Sequence, residues 1–178
     1  MSIYDQFTES ELEVLRERAE RAASLIQEER PEARLSALIV RLQGENYALP
    51  VELLTAVYQR VPVIPVPCVP SYVAGIANIR GHILAVLDLA VLMGLPGADT
   101  TDTQTLVVAA HEQFTSALRV DSIGETASIL VESLSPVPSN LAIARADFLK
   151  GILPDGTALI DLQTMLGDPA IVVDDSTH

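Results

Sequence analysis

Two stretches of this chain mirror each other, and nothing else constrains its fold as much. Residues 72–94, YVAGIANIRGHILAVLDLAVLMG, run from an apolar segment through Gly75 and Arg80-Gly81 into a second apolar segment. That segment ends at Asp88-Leu89 and a short helical pattern closed by Gly94. Residues 148–167, FLKGILPDGTALIDLQTMLG, repeat this order. Gly151 matches Gly75, Asp161-Leu162 matches Asp88-Leu89, and Asp155-Gly156 turns a shorter hairpin. Upstream of each copy lies another matched pair, ALPVE at 48–52 and ALRVD at 117–121. An internal duplication of two small β units accounts for the pattern. Many short strands punctuated by Gly and Pro predict barrels or a sandwich, not a parallel α/β sheet.

Such strands need enough apolar material to enclose. Apolar residues make up 49% of the 178, while aromatics are 4% and Trp is absent, so the predicted core is aliphatic. The body is predicted over 35–167, with a first half at about 35–97, a second at about 103–167 and strands open to exchange between them. SALIVRLQGENYALPV, 36–51, reads as a hairpin turned at Gly44-Glu45-Asn46, and VELL, 51–54, as a single helical turn. VPVIPVPCVP, 61–70, holds Pro62, Pro65, Pro67 and Pro70, which confines it to a sheet edge or an extended proline-type segment. PSYVA, 70–74, predicts a short helix opened by proline.

The first 34 residues are of another kind, with 5 of the 11 basic and 9 of the 24 acidic residues. Thr8 and Glu11 have the spacing of a capping box, and Phe7 can staple onto Leu12. Leu12, Leu15, Ala19, Ala22, Ala23 and Ile26 form one stripe at helical spacing, ended by Pro31. The stripe either packs on the protein's own body or docks a partner or a second copy. Residues 168–178 read as a loose acidic tail.

Charge narrows the partners. The net charge is −13, and affinity for nucleic acid rests on neutralising phosphates, so nucleic acid is not an expected partner. The longest apolar run, 83–95, is interrupted by Asp88 and Gly94, too short and broken for membrane insertion. One cysteine permits no internal disulfide, which fits a reducing, cytoplasmic setting. His82, His111 and His178 share no metal-ligand spacing with Cys68 or a carboxylate pair, so neither a metal nor another cofactor is expected. A catalytic reading would make Cys68 a nucleophile beside His82 or His111, in a small-molecule-binding or enzymatic barrel. Asn78 and Arg80 fall on one face of their strand, with Ala77 and Ile79 on the other. Arg80 is then either a solvated hairpin residue or an arginine anchor rimmed by apolar surface.

VPVIPVPCVPSYVAGIANIRGHILAVLDL, 61–89, resembles the core signature of CheW-like domains: a proline-rich strand, a short helix, Gly-Val/Ile, Asn-Leu/Ile-Arg-Gly, then an apolar strand ending in Asp-Leu. YALPVELL and ALRVDSI resemble the family's early strand and its later counterpart, so the likeness spans roughly residues 36–167. The resemblance implies two packed SH3-like five-stranded β-barrels, here preceded by an N-terminal helix. It implies a non-enzymatic adaptor that couples a chemoreceptor's cytoplasmic tip to the regulatory domain of a CheA-type histidine kinase, recruited to membrane receptor arrays for chemotaxis or pilus-based motility. Leu54, Val57, Gly75, Asn78, Arg80 and Gly81 would then serve partner binding, and Leu12, Leu15, Ala19 and Ile26 partner binding or self-association. The sequence departs from the family at Ala56-Val57, where an acidic residue often precedes the apolar one.

Overall fold

The computed structural model describes residues 9–28, 32–97, 103–112, 114–140 and 146–171, the side chains of 23–28 excepted. The chain divides into two units, residues 1–33 and 34–178. The first contributes one helix, α1 (Glu9–Glu28), whose side chains from Glu9 to Ala22 are exposed. Glu9 and Glu11 in its first turn complement the positive end of the helix dipole. Phe7 and Thr8, expected to staple and cap it, lie outside the described residues.

The second unit is mainly β. Its strands are β1 (Arg34–Leu42), β2 (Glu45–Pro50), β3 (Leu54–Pro62), β4 (Val73–Ile79), β5 (His82–Asp88), β6 (Thr103–His111), β7 (Phe114–Val120), β8 (Ser122–Leu130), β9 (Leu149–Ile152) and β10 (Ala158–Ile160). Two short helices, α2 (Leu89–Leu92) and α3 (Leu162–Leu166), follow β5 and β10. The strands form two curled five-stranded sheets, in the orders β8-β1-β2-β10-β9 and β3-β6-β7-β5-β4. Matching β1 with β6, β2 with β7, β3 with β8, β4 with β9 and β5 with β10 turns the first order into the second. The duplication is therefore realised with exchange, because each sheet takes two strands from one half of the body and three from the other.

Among the described residues the only parallel pairings join the halves, and they use equivalent residues. Ala48 of β2 faces Leu159 of β10, and Ala117 of β7 faces Val86 of β5. The aliphatic alternation on these strands supplies three clusters. Ala77, Val86, Leu106 and Ala117 fill the curl of one sheet, and Ala37, Ala48, Ile129 and Leu159 the curl of the other. The largest cluster joins the sheets through Leu42, Tyr47, Leu49, Leu87, Val107 and Leu118, with α2 and α3 sealing it through Leu89, Leu92, Leu162 and Leu166.

Several local expectations change. The β1–β2 turn is the two-residue Gln43-Gly44, not Gly44-Glu45-Asn46, because Leu42 already pairs with Glu45. Both turn residues have positive φ, 50° and 84°, the handedness that suits the twist of a hairpin. PSYVA is no helix: one turn hydrogen bond, from Val73 N to Pro70 O, leads straight into β4, where Val73 pairs with Leu87. A proline helix start has no length to propagate when a β-branched residue is already held in a ladder. Residues 168–171 belong to the body instead of a loose tail, since Ile171 is buried and the Tyr72 hydroxyl donates to Ala170 O. Residues 172–178 lie outside the described residues.

Candidate functional site

The opposite ends of β5 carry the two polar devices of this fold. At the C-terminal end sits a buried ion pair, Asp88 with Arg119, only 3% and 7% exposed. Asp88 is directly opposite Arg119 where β5 runs parallel to β7. Its Oδ1 also accepts from the backbone of Ala90 (3.1 Å) and Val91 (3.4 Å), so one carboxylate starts α2 and neutralises a guanidinium from the other half of the body. The duplicate does this differently. Asp161 caps α3 through Thr164 N (3.1 Å) and Thr164 Oγ1 (2.8 Å), and the residue matching Arg119 there is Pro50. Arg119 was not singled out by the sequence reading. Its signal is a lone arginine between the apolar Leu118 and Val120 of a strand, a setting that demands a buried acid.

At the N-terminal end of β5 lies the β4–β5 turn, Arg80-Gly81. Ile79 pairs with His82, and both turn residues have positive φ, 50° and 86°. Arg80 is thus a turn residue and shares no strand face with Asn78, contrary to the alternation argument. Asn78 itself stabilises the turn, its Oδ1 accepting from Gly81 N at 2.9 Å. The Arg80 guanidinium carbon stands 5.8 Å from the centre of the Tyr58 ring, within cation–π range. Tyr58 lies on β3 and packs inward against the sheet's own core cluster, as Ala56 does. An aromatic ring two residues beyond Ala56 on the same face of β3 therefore receives the arginine. Arg80 makes no ion pair among the described residues. Around it Tyr58, Arg80, His82, Ile83 and Thr115 line a shallow concavity of about 460 Å³, and Ile83 is 61% exposed.

The other expected partner-binding residues scatter. Val57 points away from Tyr58 on β3 and is 43% exposed. Leu54 is half-buried against the cluster between the sheets. Gly75, expected at a partner surface, is buried, and a Cβ there would stand 2.1 Å from Ile64 O. It is glycine because the proline-rich segment bridges to β4 at that point, Ile64 and Ile76 exchanging hydrogen bonds of 2.8 Å. Of the helix residues, Leu12, Leu15 and Ala19 are exposed, and the side chain of Ile26 lies outside the described residues. Asn78, Arg80 and Gly81 come together, and Tyr58 ties them to the strand carrying Val57.

Cys68 is exposed in the proline-rich segment. Among the described residues no three His, Cys, Asp or Glu side chains are grouped to hold a metal, and no helix is long and apolar enough to cross a membrane. What the turn offers is a positioned cation beside exposed aliphatic surface.

Comparison with known proteins gives this arrangement its context. The chain is 28% identical over 134 residues to the chemotaxis protein CheW of Helicobacter pylori, covering 75% of this chain and 81% of that protein. It is 26% identical over 113 residues to a probable chemotaxis protein CheW of Rhizobium etli, covering 64% and 73%. Among solved structures, the scaffolding protein TtCheW from Thermoanaerobacter tengcongensis superposes with a TM-score of 0.65 at 24% identity, over 77% of this chain and 95% of that one. The family model for the CheW-like domain matches residues 36–170, almost the whole β body. This chain belongs to the CheW-like domain family, its two SH3-like curled sheets preceded in the sequence by the helix α1.

Proposed function

We propose that this scaffold is a non-enzymatic adaptor that couples the cytoplasmic tip of a chemoreceptor to the regulatory domain of a CheA-type histidine kinase, within a membrane-associated array. One observation carries the reading to particular residues. Arg80 occupies the first position of a two-residue turn at φ 50°, a conformation that asparagine or glycine adopts at less cost. A side chain kept where the backbone disfavours it, laid over Tyr58 and next to exposed Ile83, fits an arginine anchor in a protein interface. Each contact is expected to be modest, and an array strengthens it by multivalency.

The test titrates the kinase regulatory domain and a receptor tip hairpin, separately, with the wild type, Arg80→Ala and Arg80→Asn. Asparagine suits the left-handed turn, so Arg80→Asn is expected to match the wild type in stability to within about 1 kcal/mol. Either variant should lose roughly tenfold or more in affinity for at least one partner. Wild-type protein that binds neither partner would overturn the adaptor reading. Wild-type binding left unchanged by both substitutions would remove Arg80 from the interface.

A further inference from the structure

The helix α1 lies outside the residues matched by the family model, so the adaptor body does not account for it. Leu12 and Leu15 are 38% and 48% exposed, and Ala19 and Ala22 complete an uncovered stripe. An isolated helix of 20 residues is marginal in water, and pairs such as Arg16 with Glu20 and Glu17 with Arg21, four apart, supply only part of what it needs. We propose that α1 is a self-association element that pairs in parallel and in register with α1 of a second copy. The inference goes beyond the adaptor reading and does not depend on it.

The spacing of the stripe is that of a heptad seam: Leu12, Ala19 and, in the sequence, Ile26 at a, with Leu15 and Ala22 at d. The alanines allow two helix backbones to approach closely. Charge selects the occupant and its direction. Glu11 falls at g and Arg16 at the following e, so a parallel in-register pair sets Glu11 of each copy against Arg16 of the other, twice per dimer. Reversing one helix with Leu12 over Ala22 places Arg16 on Arg16 and Arg18 on Arg18. Antiparallel with Leu15 over Ile26, no charge pair forms at the flanks. Antiparallel with Leu12 over Leu15, Glu9 meets Arg16 and Glu11 meets Arg18, but the helices overlap only over residues 9–18 and leave Ala19 and Ala22 outside the seam. Only the parallel in-register pair combines opposite charges with the whole stripe.

Sedimentation equilibrium of the full chain over a wide concentration range tests this. The wild type is expected to form a reversible dimer. Leu12→Glu/Leu15→Glu should weaken it by at least roughly tenfold. Glu11→Arg or Arg16→Glu should each weaken it by roughly three- to tenfold at low salt, and the swapped pair Glu11→Arg/Arg16→Glu should restore it. Far-UV circular dichroism of each variant checks that its body remains folded. A wild type that stays monomeric throughout overturns the proposal. So does a dimer that survives the double leucine substitution, or one in which the swapped pair is no tighter than the single charge variants.

Discussion

Asp88→Asn isolates the ion pair that joins the two halves of the body. Asparagine retains the shape of the side chain and an oxygen able to accept from Ala90 and Val91, so α2 keeps its start. It removes the negative charge beside a guanidinium that is only 7% exposed. Breaking a buried pair from one side costs about 3–5 kcal/mol, most of it the penalty on the charge left behind. For a body of this size that corresponds to a fall in Tm of roughly 6–20 °C. Arg119→Met should cost less, about 1–3 kcal/mol, because the carboxylate left behind still accepts two backbone N–H groups. With both substitutions no charge is buried, and the double variant should be more stable than the sum of the singles predicts by about 2 kcal/mol or more. Urea unfolding of the four proteins, with the m-value checked for constancy, measures the cycle. Costs that add within about 0.5 kcal/mol, or an Asp88→Asn cost below about 1 kcal/mol, would show that the pair is not the buried, mutually dependent unit the geometry describes.

Two further outcomes follow from features elsewhere in the body. Gly75→Ala places a Cβ 2.1 Å from Ile64 O, a backbone atom that cannot turn aside, so loss of about 2–4 kcal/mol is expected in the same unfolding assay; an unchanged midpoint would mean the Ile64 bridge is dispensable. Burial, with Glu45 beside it, pushes the Tyr47 phenol up to about 12 from 10.0. The fold therefore favours the neutral phenol, and its contribution is complete below pH 10 and is lost as the pH rises from 10 towards 12; Tyr47→Phe should flatten stability against pH in that window, and an unaltered slope would refute the assignment.

The parts of this fold that local chemistry controls were readable from the residues. Arg80-Gly81 between apolar runs marks a hairpin, and DLAVLMG with its repeat DLQTMLG marks the short helices α2 and α3, whose capping by Asp88 and Asp161 the structure adds. The long motif around Asn78-Ile79-Arg80-Gly81 pointed to the family that the comparison establishes. What escaped depends on strands far apart in the chain. Tyr58 lies under Arg80 only because β3 and the β4–β5 turn belong to one sheet, so alternation along β4 alone assigned Arg80 a strand face it does not have. Asp88 and Arg119 are 31 residues apart and meet through an exchange that no periodicity encodes. At PSYVA the proline signal was real but local, and the ladder to β5 outweighed it.

The exchange of strands also governs how the body can come into being. The sheet that starts with β1 at Arg34 closes its order with β10 and β9, which end at Ile160, and the other sheet needs β7 from the far half beside β5. During synthesis, the first sheet lacks two members until the ribosome has released almost the entire domain. Its early strands must wait with open edges, and the long loops to be closed make assembly slow relative to helical proteins of similar length. A fragment cut near residue 97 would hold β1 to β5 but neither complete sheet, so it would have nothing to fold around until the missing half was supplied.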